Sequence, residues 1–472
     1  MNDTICALAT PQGGAINVIR VSGPHAVAIV DKIFTPRKGV SLALRKSHTV
    51  AFGDIFTAPD ELLDEVLVTV MRAPHSYTGE DSVEISCHAS PYITQQLLLT
   101  LFEGGARQAD AGEFTMRAFL NGKMDLSRAE AVADLIASTS AASHRLAMNQ
   151  LKGGFSEQLS QLRDKLLKLT SLLELELDFG EEDVTFADRS QLLALCCEID
   201  DVMSHLAASF SIGNAVKNGV PVAIVGETNT GKSTLLNALL HEDRAIVSDI
   251  QGTTRDTIEG IMTLGGVTFR FIDTAGLRET HDLVEKMGIE RTLDQLSKSS
   301  IALWMIDPLQ DPQSIEELAK RLLPMCRGKR LAVLVNKCDV VDPIALSKVM
   351  QWGGEMVKKY GDGIEWNESD LWAISARLAI NIDHLEEFLV RAAAVPSISS
   401  HDVVVTNARH YEALKRAIAN IQAVKQGLAD GLSGDLVSES LRAALRNLSE
   451  IVGEVICNEV LGSIFANFCI GK

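Results

Sequence analysis

The stretch Pro221-Val-Ala-Ile-Val-Gly-Glu-Thr-Asn-Thr-Gly-Lys-Ser-Thr-Leu-Leu-Asn-Ala-Leu-Leu240 sets an apolar run, a glycine-bracketed turn and an apolar-periodic segment in succession. The run predicts a buried strand and the segment from Thr234 a helix, which is the setting a phosphate-binding loop requires. Between them the glycines let backbone N–H groups converge on phosphate oxygens where a side chain would block the approach. Lys232 then reaches the terminal phosphates, and the Ser233 hydroxyl is placed to ligate Mg2+. Asn229, Thr230, Gly231 and Thr234 belong to the same contact surface.

Three further segments follow in order, each after an apolar strand pattern. Asp273-Thr-Ala-Gly276 follows Phe269-Arg-Phe-Ile272, so Asp273 can hold the magnesium shell through water while the Gly276 N–H faces the γ-phosphate. Asn336-Lys-Cys-Asp339 follows Leu331-Ala-Val-Leu-Val335, and Ser375-Ala-Arg377 follows Leu371-Trp-Ala-Ile374. A carboxylate at Asp339 accepts from guanine N1–H and the 2-amino group, a pair adenine lacks. With Asn336 and Lys337 shaping the pocket and Ser375, Ala376 and Arg377 closing it, the expected nucleotide is GTP. Four such motifs at strand ends predict a Ras-like P-loop domain: a mostly parallel sheet between two helical layers, with ligand at the carboxyl ends of the strands.

One position departs from the Ras pattern. Where a glutamine would follow the Asp-x-x-Gly element and orient the attacking water, this chain has Leu277, which cannot polarise water. Two groups are candidates to take over. Asn229 can help coordinate a monovalent cation against the phosphates, and Glu285 lies a few residues downstream; spacing alone would make Glu285 a solvated glutamate on a first helical turn.

The rest of the chain is read from periodicity. Alternating segments at 16–21, 67–71 and 83–87, with a helical stretch at 95–102, give residues 1–120 an α+β pattern. From 121 the pattern turns helical, and leucines at 159, 162, 166, 169, 173 and 177 form one apolar stripe that reads as bundle core. Residues 217–382 carry the nucleotide motifs, and Gly265-Gly266 between two strand patterns marks a hairpin turn. Helical periodicity resumes at Ala408. The expected architecture is a multidomain α/β and α chain: an α+β domain at 1–120, a discontinuous helical domain at 121–216 and 383–472, and the G domain of 217–382 inserted between its halves.

Composition bounds this reading without producing it. A length of 472 residues, 46% hydrophobic and 22% charged, suits a globular chain of several domains. No apolar run approaches membrane-spanning length and the N-terminus lacks a basic leader, so a cytoplasmic protein without membrane association is expected. The eight cysteines (6, 87, 196, 197, 326, 338, 457 and 469) show no metal-ligand spacing, as reduced thiols would. A net charge of −18 leaves no basic stripe of the kind that grips RNA phosphates.

Several blocks together resemble the MnmE (TrmE) family of tRNA-modifying GTPases. They are the loop with its internal Asn229, Ser248-Asp-Ile-Gln-Gly-Thr-Thr-Arg-Asp256, Asp273-Thr-Ala-Gly-Leu-Arg-Glu279 and the terminal Phe468-Cys-Ile-Gly-Lys472. Ser76-Tyr-Thr-Gly-Glu-Asp81, Gly112-Glu-Phe-Thr-Met-Arg-Ala-Phe-Leu-Asn121 and Asp178-Phe-Gly-Glu-Glu182 extend the likeness over essentially the whole chain. The resemblance implies a K+-stimulated GTPase activated by G-domain dimerisation. Asn229, Ser248, Ile250 and Thr253 would hold K+, and Ser233 with Thr254 would hold Mg2+. Glu285 would orient the water through a bridging water, with Arg255 and Asp256 counted among the catalytic residues. Asp249, Gln251, Gly252, Thr274 and Ala275 would join the GTP contacts. Ser248 stands where a threonine is expected and keeps the hydroxyl; Glu227-Thr228 replaces a basic or small residue and proline, leaving the phosphate-binding backbone intact.

The same resemblance makes the N-terminal domain a folate-binding and dimerisation module, presenting 5-formyl- or 5,10-methylene-tetrahydrofolate. The site would fall on Arg20, Glu84, Lys123 and Lys472: a carboxylate for the pterin's N–H groups, cations for the glutamate tail. Cys469 is a candidate nucleophile, although its place between Phe468 and Ile470 also suits packing. The implied activity is modification of C5 of the wobble uridine of certain tRNAs to a carboxymethylaminomethyl or aminomethyl product, as a homodimer in complex with the FAD-dependent partner MnmG, which would carry much of the tRNA affinity. Two other readings stay open at this point: a ribosome-assembly GTPase switch, which would need an RNA-binding appendage, and a folate-dependent one-carbon transferase with a regulatory G domain.

Overall fold

The computed structural model describes residues 3–11, 13–178, 189–241, 260–272, 296–393, 403–432, 434–454, 458–466, 468 and 471. The chain forms two compact units, one of Met1–Ile136, Gln150–Ser204 and Glu412–Lys472, the other of Ala137–Asn149 and His205–Tyr411.

In the first unit seven strands form one sheet: β1 (Thr4–Leu8), β2 (Ile16–Ser22), β3 (Phe34–Pro36), β4 (Thr49–Ala58), β5 (Glu61–Met71), β6 (Ser82–His88) and β7 (Ala106–Gln108). Their order is β3-β4-β5-β6-β2-β1-β7, and the β1–β7 pair is parallel. Alternation along β4 turns Ala51 and Ile55 into a core shared with the helices Ala26–Ile33 and Pro91–Glu103, through Val27, Val30, Leu97 and Leu101. The same alternation leaves Val50 and Phe52 on the solvent face, Phe52 directly opposite the exposed Leu67 of β5.

The leucine stripe lies on the helix Gly154–Asp178, where Leu159, Leu162, Leu166, Leu169 and Leu173 are all buried. Each fully buried leucine contributes about 1.5–3 kcal/mol. An exposed pair such as Lys165–Glu198 contributes about 0–1 kcal/mol, so apolar packing decides this bundle.

The blocks at 76–81 and 112–121 build an ion network with a buried centre and an exposed rim. Arg117, 1% exposed, bonds Glu113, Asp3 and Glu80, while Arg107 reaches Glu113 at 2.6 Å and Asp3 at 2.8 Å. Burial alone would push the Glu113 carboxyl up, but Arg107, the Asp110 N–H and Arg117 outweigh it and hold it below the usual range. Its buried centre is the Arg117–Glu113 pair, 1% and 2% exposed, and each of the two keeps a further opposite charge beside it.

The second unit holds a six-stranded sheet of β8 (Val220–Val225), β9 (Gly260–Leu264), β10 (Val267–Phe271), β11 (Ile301–Ile306), β12 (Arg330–Val335) and β13 (Leu371–Ala373). Its order is β13-β12-β11-β8-β10-β9, parallel except for the β9–β10 hairpin turned at Gly265-Gly266. Both faces are covered. Val222 and Ile224 pack toward the helices Lys232–His241 and Ile382–Ala392, while Ala223 and Val225 pack toward Pro312–Leu322 and Pro343–Tyr360. Burial on both faces explains why these strands read as continuous apolar runs. This unit also takes in residues flanking 217–382: Val216 packs on Leu146, and the backbone of Gly213 lies against that of Val405.

Candidate functional site

The loop 226–233 leaves β8 at the position where the strand order reverses, the switch point at which open α/β sheets bind ligands. Asn229 takes the left-handed conformation at φ +61°, and Gly231 follows at φ +96°, where a Cβ would collide with the Asn336 amide. Thr230 is buried and donates its hydroxyl to the Glu227 carbonyl at 2.9 Å, closing the turn. The helix Lys232–His241 begins at once, so its unpaired N–H groups and positive dipole end face the loop's concavity. Ser233 sits in its first turn, a hard oxygen donor of the kind Mg2+ takes.

Lys232 folds back on the loop, its Nζ donating to the carbonyls of Gly226 at 2.9 Å and Glu227 at 2.6 Å. Burial pushes its ammonium down to about 8, against the opposing pull of the Glu227 carboxylate. Phosphates would supply the counter-charge and raise it again. Below this value the lysine is charged before and after binding; above it, binding takes up a proton. GDP binding therefore takes up more proton at about pH 8.5 than at about pH 7. Calorimetry in buffers of different ionisation enthalpy reads this directly, and Lys232→Arg, charged throughout, abolishes the difference. Equal uptake at the two pH values in the unaltered chain would rule out a depressed lysine.

The base end is built on the carboxyl ends of β12 and β13. Asn336 is buried; its Nδ2 donates to the Thr230 carbonyl at 2.7 Å and its Oδ1 accepts from the Ala376 N–H at 3.0 Å. One side chain thus ties the phosphate loop to the segment 375–377. Ser375 is buried and accepts from the Leu378 N–H at 3.2 Å, while Asp339 and Arg377 are exposed at the mouth. Lys337 stands at φ +63°, a conformation costing an ordinary residue about 1–2 kcal/mol. Its Nζ meets Asp307 Oδ2 at 2.6 Å, and Asp307 is only 4% exposed.

Asp307 and Gln310 were not singled out by motif. Asp307 accepts from the Leu309 N–H at 3.0 Å as well as from Lys337, and Gln310 Nε2 donates to the Thr228 carbonyl at 2.8 Å. The available signal was position: Asp307 ends the apolar run of β11, where an open parallel sheet places ligand-side groups.

In the first unit, the register of β2 and β6 puts Arg20 opposite Glu84, and Arg20 Nη2 meets Glu84 Oε1 at 2.8 Å. The guanidinium lies 5.4 Å from the Tyr77 ring centroid and 5.6 Å from that of Phe114. Arg20 Nη1 also donates to the carbonyl of Gly471 at 3.3 Å, so the chain's end meets its second strand. Gly471 is required there: at φ +94° a Cβ would run into the Leu8 carbonyl. The helix Asn458–Phe465 brings the terminus in, packing Leu461 and Phe465 with Leu126 and Ala129, and Phe465 against Gly112. Lys123 donates to the Pro74 carbonyl at 2.9 Å and packs its stem near Gly79, two residues from Tyr77.

Ser248, Asp249, Ile250, Gln251, Gly252, Thr253, Thr254, Arg255, Asp256, Asp273, Thr274, Ala275, Gly276, Glu285, Cys469 and Lys472 lie outside the described residues. Among the described residues the thiols are free, and burial raises Cys6 and Cys326 to about 12. No cluster of metal-ligating His, Cys, Asp or Glu occurs among them, and no helix is long and apolar enough to cross a membrane.

Residues 4–123 match the family described as the GTP-binding protein TrmE N-terminus, and residues 126–469 match the MnmE helical domain. The tRNA modification GTPase MnmE of Bacteroides fragilis is 54% identical over 471 residues, covering 100% of this chain and 99% of its own. Its namesake in Bacteroides thetaiotaomicron is likewise 54% identical over 471 residues, with the same coverage, and that of Flavobacterium johnsoniae is 48% identical over 474 residues, covering 100% of this chain and 99% of its own. Fold and site define a P-loop GTPase with a mostly parallel, doubly covered sheet. The chain belongs to the MnmE family.

Proposed function

We propose that this GTPase acts in tRNA modification, installing a carboxymethylaminomethyl or aminomethyl group at C5 of the wobble uridine with a tetrahydrofolate one-carbon unit. It would work in the cytoplasm as a homodimer together with the FAD-dependent partner MnmG. The observation that carries the reading is identity of 54% across the whole length with a relative named for that activity.

In this reading Lys232 and the backbone of 229–234 bind the phosphates, and Asn336, Lys337, Asp339 and Ser375 to Arg377 select guanine. Mg2+ on Ser233 and Thr254 would neutralise phosphate charge, and K+ on Asn229, Ser248, Ile250 and Thr253 would add positive charge where hydrolysis develops negative charge. Glu285 orients the water that Leu277 cannot. Hydrolysis drives a conformational cycle, and carbon transfer is separate chemistry at Arg20, Glu84, Lys123 and Lys472, with Cys469 as its candidate nucleophile. The folate half is supported by the approach of Gly471 to Arg20. The exposed Phe52 and Leu67 pair offers a second copy an apolar sheet face.

Mass spectrometry of wobble uridine from cells lacking this chain tests the reading. The expected result is unmodified uridine at that position, restored by the intact gene; a full complement of modified uridine in the deletion would reject it.

A further inference from the structure

The phosphate loop is held at two carbonyls by two side-chain amides. Asn336 takes the carbonyl of Thr230 at 2.7 Å, and Gln310 takes that of Thr228 at 2.8 Å. The second carbonyl belongs to the peptide joining Thr228 to Asn229. A planar peptide rotates as one body, so its rotation changes ψ of Thr228 and φ of Asn229 together. Fixing that carbonyl therefore fixes Asn229 at its φ of +61°. Asparagine tolerates this region but does not prefer it to the extended and right-handed ones.

Two features argue that the contact is built and not incidental. Gln310 leaves its Oε1 buried with no hydrogen-bond partner among the described residues, a cost that a glutamine free to rotate into water would escape. The residue is also positioned by the turn that serves the base end: its N–H donates to the Asp307 carbonyl at 3.1 Å, and the Asp307 carboxylate holds Lys337 at 2.6 Å. The four-residue turn 307–310 thus contacts both a base-recognition residue and the phosphate loop.

We infer that Gln310 is a positioning residue for the phosphate loop: by donating to the Thr228 carbonyl it holds the 228–229 peptide and so keeps Asn229 directed for cation binding. The cation part rests on the reading of Asn229 as a K+ ligand given above; the backbone part does not. Threonine at 228 lacks the ring that would restrict φ there, so the loop relies on this external bond.

Gln310→Met keeps length and volume and removes the donor without adding charge. In the full chain, the K+ concentration giving half-maximal GTP hydrolysis, at ionic strength balanced with choline chloride, rises about five- to tenfold, the equilibrium value of one hydrogen bond. Hydrolysis at saturating K+, GDP affinity and Tm stay close to those of the unaltered chain. Gln310→His at pH 8, whose Nε2–H reaches about as far, restores the K+ requirement. An unchanged half-saturation in Gln310→Met, or a parallel loss of GDP affinity and Tm in both variants, would overturn the inference by showing an inert or merely structural side chain. Selective labelling of asparagine supplies a readout that needs no cation. The Cα and Cβ shifts of Asn229 should report the left-handed conformation in the unaltered chain and leave it in Gln310→Met. Retention of those shifts overturns the brace, whereas a chain indifferent to K+ but with the shift change sinks only the cation reading.

Discussion

Deleting residues 469–472 weakens 5-formyl-tetrahydrofolate binding by tenfold or more and abolishes wobble-uridine modification, while K+-stimulated GTP hydrolysis continues. The expectation follows from where the terminus lies. A chain end is frayed unless something holds it, and this one is held by the carbonyl of Gly471 on Arg20, by the seat of Gly471 against Leu8 and Ala9, and by Phe465 and Phe468 packed on Gly112. The deletion leaves the aromatic pair, whose centroids are 5.1 Å apart, so the helix Asn458–Phe465 stays docked. What goes is the cap on Arg20. A hydrogen bond to a charged group is worth about 1.5–3 kcal/mol, roughly a ten- to hundredfold change if the guanidinium loses its orientation along with Lys472. The nucleotide site belongs to the other compact unit and is not touched. Calorimetric titration of the folate into the truncated chain is the measurement, and unchanged affinity refutes a terminus that completes the pocket. Cys469→Ser separates chemistry from packing: modification lost with folate binding kept assigns the thiol a chemical role, and full activity leaves it as filler.

How much of this was legible in the sequence depends on whether a group's job is local. The loop 226–233 and the hairpin at Gly265-Gly266 were legible because phosphate binding and a two-residue turn each impose a short, fixed spacing. The leucine stripe was legible through its helical period, and Leu159, Leu162, Leu166, Leu169 and Leu173 are buried on one helix. That the chain's end lies beside Arg20 was expected only through the family resemblance, which groups Arg20 with Lys472; no spacing rule connects residues 451 apart in sequence. The blocks at 76–81 and 112–121 carried the family likeness while hiding their task. Their charged residues look like surface groups until the fold brings Glu80, Glu113 and Arg117 together with Asp3 and Arg107. Asp307 and Gln310 stayed invisible for the same reason: each acts through a single long-range bond, to Lys337 and to Thr228, that leaves no periodicity behind.

GTP hydrolysis by the full chain is expected to run in KCl and to fall at least tenfold in NaCl of equal ionic strength. Leu277 removes the glutamine that would polarise water, so the missing stabilisation must come from a group the Ras pattern does not use. The phosphate loop offers one. Asn229 is exposed on the loop's outer turn and held left-handed, and Lys232 already belongs to the phosphates, so no described side chain of the loop supplies a second positive charge. An arginine supplied in that role is worth about 10³ to 10⁵ in rate, and a bound cation replacing part of it should be worth a clearly measurable share. Under the proposal, selection between K+ and Na+ would rest on the cage that Asn229, Ser248, Ile250 and Thr253 are proposed to form. Asn229→Ala should lose the K+ response and keep GDP affinity, because the loop's backbone still binds the phosphates and only the charge made useful in the transition state is gone. Glu285→Ala should instead slow hydrolysis in K+ while leaving the half-saturating K+ concentration unchanged. Equal turnover in the two salts sinks the cage, and normal turnover in Glu285→Ala returns that residue to the solvated glutamate its spacing suggests.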